Sequence, residues 1–184
     1  MTSADSELSD LYVYKTMPVV YVSLGSNIEP EKNLKVAVQA LAESTTIMAV
    51  SSVYQTPPYG NTNQPDFLDV VVKLVTPVFP VIFKTTVLNE IENHLGRTRD
   101  PQFKHGPLTM DMDILLWSNS AFSFGTKPWR VPNAGILKYA AVALPLAEIA
   151  PDYVHPETNE TLATIAARLD PKGVKKLDWK IELD

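Results

Sequence analysis

His105–Trp117 reads HGPLTMDMDILLW, and the apolar run Ile114-Leu115-Leu116-Trp117 at its end marks a buried strand. Side chains two apart on a strand share a face. Asp111 and Asp113 therefore point one way, and Met110 and Met112 the other. Two carboxylates side by side at the head of a buried strand repel each other and resist desolvation. A divalent cation relieves both problems, and hard oxygen ligands of this kind suit Mg²⁺ shared with substrate phosphates. A bare D-x-D pattern also describes two exposed aspartates at a strand end, because short motifs recur by chance. The Gly106-Pro107 turn just before the strand, and the basic Arg97, Arg99 and Lys104 upstream, tilt the reading toward a phosphate site.

Working outward, Val19–Ser23 (VVYVS) is a β-rich run and the predicted first strand. It ends in Leu24-Gly25-Ser26-Asn27, read as a turn whose glycine admits a ligand closely. Pro30 stands near a helix start, and Leu34, Ala37, Val38 and Leu41 repeat at helical spacing to about Ala42. Ile47–Gln55 is the predicted second strand, and Thr56–Asn61 (TPPYGN) a rigid loop. Asp66–Val75 is the third strand, paired with the second across that loop. Val78–Leu95 is the second helix, with an imperfect stripe of Ile82, Val87, Leu88, Ile91 and Leu95 and Gly96 at its C-cap. A basic loop, Arg97–Pro107, leads into the aspartate strand. Beyond it, Ser118–Trp129 reads as a hairpin excursion, Ile136–Ile149 as a short helical segment, Thr158–Leu169 as a last helix and the charged tail as loose. The order β-α-β-β-α-β with C-terminal additions is an α+β, ferredoxin-like arrangement, with helices on one face of a mostly antiparallel sheet. Residues 1–17 read as a flexible leader and 18–184 as a single domain.

Composition limits the function classes. The 184 residues are 45% hydrophobic and 20% charged, enough for one ordinary domain with its own core. A net charge of −5 argues against a nucleic-acid or anionic-membrane partner. The absence of cysteine excludes disulfides, zinc-thiolate sites and thiol catalysis, and fits the cytoplasm. No apolar run reaches the length of a membrane span, and the acidic N-terminus has no apolar signal region.

Several stretches, taken in order, carry a resemblance. They are LGSN at 24–27, SSVYQTPPYGNTNQPDFLD at 51–69, LGRTR at 95–99 and GPLTMDMDILLW at 106–117. The pair Val131-Pro132 and PLAEIAPDYVHP at 145–156 complete the set. Together they resemble the 6-hydroxymethyl-7,8-dihydropterin pyrophosphokinases, from about Val19 to about Leu169. The resemblance implies a Mg²⁺-dependent monomeric enzyme of folate biosynthesis. It would move pyrophosphate from ATP to a dihydropterin alcohol, and these small molecules would be its partners. The family's metal-binding aspartates fall on Asp111 and Asp113, which would hold two Mg²⁺ ions between the ATP phosphates and the pterin oxygen. Arg97 matches a family arginine and joins them as a catalytic group. The pterin would lie along Thr56, Pro57 and Tyr59, bonded by backbone groups of Thr56 and Tyr59, with Phe67 stacked on its face. Asp69 stands where the family has asparagine, and a carboxylate can accept paired bonds from the pterin 2-amino group and ring N–H. Asn89, Glu92, Lys104, Ile114 and Asn133 fall at nucleotide-facing positions. No side chain is an obvious general base, and a bound metal suffices to acidify the hydroxyl.

The departures concern cations. The family motif reads Gly-Pro-Arg-Thr-Leu-Asp-Leu-Asp, and its arginine is here Leu108. A loop tryptophan is His105, a phosphate-binding histidine is Asn133, a further arginine is Tyr139 and a second stacking aromatic is Ala141. Lys138 lies one position from the arginine site. Losing one positioned cation costs on the order of a hundredfold in rate. An alternative is therefore a catalytically impaired relative that acts as a pterin- or nucleotide-binding module. Motif chemistry alone adds a third reading, a D-x-D glycosyltransferase, for which the chain is short.

Overall fold

The aspartate strand lies at one edge of a six-stranded antiparallel sheet in the computed structural model, which describes residues 17–98 and 106–183. The strands are β1 (Val19–Ser26), β2 (Thr46–Val50), β3 (Ser52–Thr56), β4 (Phe67–Val75), β5 (Asp111–Trp117) and β8 (Lys175–Lys180). Their order is β5-β1-β4-β3-β8, and β2 also pairs with β4. Helix α1 is Pro30–Ser44. Helix α2 spans 80–94 and has three parts: Pro80–Ile82, a π-helical stretch Phe83–Leu88, and Asn89–His94. The short strands β6 (Phe122–Phe124) and β7 (Trp129–Val131) form the expected hairpin. A 3₁₀ turn, Ala134–Leu137, then leads to α3 (Ala140–Ile149) and α4 (Leu162–Ala167). This is the ferredoxin-like α+β arrangement with C-terminal additions.

Strand alternation splits the core in two. Val20, Val22 and Leu24 of β1 join Val70, Val72 and Leu74 of β4 against Leu34, Val38 and Leu41 of α1 and Phe83, Leu88 and Ile91 of α2. Tyr21, Val71, Leu115 and Leu116 face the other way and pack on Leu146 of α3 and Leu162 and Ile165 of α4. The expected open face of the sheet is thus covered by the additions. A register shift between Tyr21 and Val22 lets both Leu115 and Leu116 face this second layer, while Ile114 and Trp117 face the first.

Three expectations are corrected. The second strand is broken at Ser51, whose buried hydroxyl accepts from the Val71 amide at 2.9 Å and donates to the Ser52 carbonyl at 2.8 Å. A side chain there takes a ladder position and interrupts the pairing. Ile82 is exposed, and Phe83 fills the helix stripe instead. The charged tail is the edge strand β8. Its Leu177 and Trp179, with Ile181 just beyond it, alternate inward while Lys175, Lys176, Asp178 and Lys180 face solvent. Residues 1–16 of the expected leader lie outside the described residues. Among the described residues no helix is long and apolar enough to cross a membrane.

Candidate functional site

Gly25 of β1 pairs with Asp69 of β4 on one side and with Asp111 of β5 on the other. Directly paired residues share a sheet face, so Asp69, Gly25 and Asp111 form one row across three strands. The next row on that face is Val71, Ser23 and Asp113. The aspartates therefore do share a face, opposite to the buried Met110 and Met112. Gly25 lies inside β1 rather than in a turn. A Cβ there would overlap Asp69 Oδ1, and the Phe67 ring edge lies 3.9 Å away. The missing side chain thus leaves room for the Asp69 carboxylate to lie over Gly25, with Phe67 beside it.

Thr56, the last residue of β3, donates its hydroxyl to Asp69 Oδ2 at 2.5 Å. Burial raises the Asp69 carboxyl to about 7; the Thr56 hydrogen bond lowers it, and the charge of Asp111 adds to the rise. Pro57 and Tyr59 are exposed at the rim. The Tyr59 ring meets Tyr139 edge-on at 5.6 Å, so the residue at the family's arginine position packs on the Pro-rich loop. Asn27 fastens that loop to the approach to β5. Its amide donates to Gln64 Oε1 and the Pro65 carbonyl, both at 3.0 Å, and its Oδ1 accepts from the Leu108 amide at 2.7 Å.

The other wall comes from the C-terminal half of α2. Arg97 N–H bonds the Glu92 carbonyl at 3.0 Å and Gly96 N–H the Asn93 carbonyl at 2.9 Å, with Gly96 at φ +77°. This is a Schellman ending, and it turns Arg97 back over the helix. Its guanidinium lies 2.5 Å from Asp111 Oδ1 and 2.6 Å from Glu92 Oε1. Burial would lower the Arg97 pKa, but Asp111, Glu92 and Asp113 outweigh it and raise it. Burial raises the Asp111 pKa, as does the charge of Asp113, and Arg97 opposes both. Glu92 is fully buried and accepts the Met112 amide at 2.8 Å. It thereby satisfies a donor that the edge strand would otherwise leave open.

A model of the family described as 7,8-dihydro-6-hydroxymethylpterin-pyrophosphokinase (HPPK) matches residues 21–151. The chain belongs to the HPPK family. A 2-amino-4-hydroxy-6-hydroxymethyldihydropteridine pyrophosphokinase of Methylorubrum extorquens is 36% identical over 165 residues, 88% of this chain and 100% of that one. The protein of the same name from Bacillus subtilis is 37% identical over 166 residues, 88% of this chain and 90% of that one. Among solved structures, Plasmodium falciparum HPPK-DHPS superposes with a TM-score of 0.66 over 83% of this chain and 45% of that one. At 12% identity that likeness shows the fold.

Within this HPPK chain, the structure brings Thr56, Phe67, Asp69, Glu92, Arg97, Asp111 and Asp113 into one neighbourhood. Asn89 lies on α2 one turn before Glu92. The Ile114 side chain is buried in the core beside Val22, which leaves only its backbone for a ligand. Asn133 uses Oδ1 to accept the Gly135 amide at 2.8 Å, capping the 3₁₀ turn. Leu108 works through its backbone, accepting from the amides of Asn27 and Ile28 at 3.0 and 3.1 Å. Lys104, Arg99 and His105 lie outside the described residues.

The sequence reading missed Lys84. It is buried on the π-helical stretch of α2, donates to the Met112 carbonyl, and lies 3.2 Å from Asp113 Oδ1 and 3.7 Å from Glu92 Oε1. Its signal was present: Lys84, Leu88 and Glu92 recur at helical spacing, so two charges stand on an apolar stripe.

The donor set fits a hard dication. Asp111 and Asp113 keep 42% and 47% of their side-chain surface exposed. No group of three or more His, Cys, Asp or Glu among the described residues makes a closed metal cage. Mg²⁺ is typically held by one or two carboxylates plus substrate phosphates, which matches an open pair. Two buried polar atoms beside it, Arg97 Nε and Thr109 Oγ1, have no hydrogen-bond partner among the described residues, and both can donate to an anion.

Proposed function

We propose that this chain transfers pyrophosphate from ATP to 6-hydroxymethyl-7,8-dihydropterin. The observation that carries the reading is the row Asp69-Gly25-Asp111 with Asp113 behind it. It sets the Asp69 carboxylate beside two half-exposed carboxylates, one backed by Lys84 of α2 and the other by Arg97 just after that helix.

The pterin lies against Asp69 and Phe67, beside Gly25. Asp69 accepts its paired N–H groups, Phe67 lies against its ring, and backbone groups of Thr56 and Tyr59 bond its edge. ATP lies along β5 and α2, near Asn89, Glu92, the backbone of Ile114, Asn133 and Lys104. The hydroxymethyl oxygen attacks the β-phosphorus. The bond from that phosphorus to the α,β-bridging oxygen breaks, AMP leaves, and the hydroxyl proton passes to solvent. Asp111 and Asp113 would hold two Mg²⁺ ions, which would supply charge neutralisation at the phosphates and a more acidic hydroxyl. Arg97 fixes Asp111 and places its buried Nε–H toward the anion. The absence of cysteine fits a cytoplasmic setting, and the enzyme is proposed to act as a monomer.

AMP formation from ATP and the pterin, with Asp113→Ala as the blank, tests this reading. Pterin-dependent AMP that falls at least a hundredfold in the variant supports it. The cation positions Leu108, Asn133 and Tyr139 favour one second reading, because Leu108 acts through its backbone, Asn133 caps a turn and Tyr139 packs on Tyr59. Pterin binding without AMP would establish that reading, a binding module on an enzyme scaffold.

A further inference from the structure

Lys84 occupies a place that packing alone does not explain. Its neighbour Phe83 fills the core against Trp117, with ring centroids 6.0 Å apart. Both residues belong to the π-helical stretch, and such one-turn widenings inside helices concentrate at functional sites. The Lys84 ammonium lies under the edge of β5, where its side chain is 6% exposed. It donates to the Met112 carbonyl while Glu92 accepts from the Met112 amide, so the pair closes the free edge of the strand. A neutral donor would serve that purpose. The charge has a second target, Asp113 Oδ1 at 3.2 Å.

The arrangement is two-fold in its logic. One buried carboxylate, Glu92, faces two cations, Arg97 at 2.6 Å and Lys84 at 3.7 Å. Each cation then engages Oδ1 of one exposed aspartate, Arg97 that of Asp111 and Lys84 that of Asp113. Three carboxylates and two cations leave this ion-paired set with a single net negative charge. An open pair of aspartates without such counter-ions would attract a bare dication strongly. With them, each aspartate is half-neutralised at Oδ1 while much of its side chain stays exposed.

We propose that Lys84 is a resident counter-ion that keeps the affinity of the Asp111–Asp113 pair for free Mg²⁺ low, so that metal loads mainly with the nucleotide. Resting on the pyrophosphokinase reading, this assigns Lys84 a positioning role exerted through Asp113. The nucleotide phosphates supply the negative charge and the remaining oxygen ligands that the protein alone withholds. A cation a few ångströms from a metal ligand opposes a dication by Coulomb repulsion, which partial burial strengthens.

The test is calorimetric binding of Mg²⁺ at pH 8 to the full chain without nucleotide. Lys84→Met is expected to bind Mg²⁺ about tenfold or more tightly than the unmodified chain, whereas Lys84→Arg, which keeps the charge, binds as weakly as the unmodified chain. Lys84→Met/Glu92→Gln removes one charge of each sign and restores the tally. It is expected to return to weak binding, and it replaces the single variant if Glu92, left with Arg97 but without Lys84, prevents folding. A pterin affinity unchanged in all three shows that the Asp69–Phe67 site is intact. Equal or weaker Mg²⁺ binding in Lys84→Met overturns the proposal, as does equal tightening in Lys84→Arg. For the double variant alone, tightening overturns it as well. Because no turnover is read, failure to form AMP would defeat the pyrophosphokinase reading without touching this result.

Discussion

Gly25 shows how a single absent side chain builds a site. Its backbone is ordinary strand, so flexibility is not its contribution; the space above it is, because Asp69 Oδ1 lies there. Gly25→Ala is expected to leave the fold in place, displace the Asp69 carboxylate and weaken pterin binding at least tenfold, measured by fluorescence titration. Asp69 itself gives a pH signature. Its folded-state pKa of about 7 exceeds the ordinary carboxylate value of 3.8. The stability that goes with its bound proton is fully present below about pH 4 and is lost as pH rises through about 7. Asp69→Asn carries no such proton. Relative to the unmodified chain it is expected to gain about 1–3 kcal/mol between pH 5 and pH 8 in denaturant unfolding. An unchanged difference across that range would mean that Asp69 titrates like an exposed carboxylate. Only the ionised form accepts two N–H groups, so pterin affinity in the unmodified chain is expected to rise through the same range and to stay flat in the variant.

At the scale of elements, the sequence was legible where one rule governed a stretch. The periodic apolar residues of α1, the alternation in β4 and the apolar end of β5 placed those elements to within two residues or so, because burial on one face leaves a period in the sequence. The glycine after α2 likewise announced the Schellman ending that aims Arg97. Elements were misread where two demands overlapped. Ser51 belongs to a strand by pattern but spends its hydroxyl on the ladder, which no periodicity reveals. Lys84 belongs to a helix stripe by position but to the site by charge, and a widened turn is invisible to a 3.6-residue count. In β8 the lysines that protect an exposed edge hid the alternation of Leu177, Trp179 and Ile181. Trp179 packs on the first core layer and takes the Lys35 ammonium over its ring at 5.7 Å. Trp179→Ala is therefore expected to cost about 1–3 kcal/mol in chemical unfolding while leaving ligand affinities unchanged. An unaltered unfolding midpoint would show that β8 is an appendage rather than part of the sheet.

For the whole molecule, the site joins parts that are far apart in the chain. Asp69, Asp111 and Asp113 gather repelling carboxylates at one end of the sheet, and burial holds two of them above their ordinary pKa. Lys84 and Glu92 of α2, and Arg97 in the turn that ends it, reach them from the other face of that sheet. Strain of this kind is relieved when ligands arrive, so occupancy should appear as stability. A ligand at one hundred times its dissociation constant adds about 2.7 kcal/mol. In a domain of this size that corresponds to roughly 5 °C or more in midpoint. Thermal unfolding is expected to rise by about that much with the pterin alone, and again with Mg²⁺ and a non-hydrolysable ATP analogue. In Asp111→Ala and Asp113→Ala the nucleotide increment should vanish while the pterin increment persists, since the proposed pterin site depends on Gly25, Phe67 and Asp69. Loss of both increments in either variant would mean that the aspartates hold the fold and not the metal. Persistence of both would remove Asp111 and Asp113 from the nucleotide site and place the phosphates elsewhere along α2.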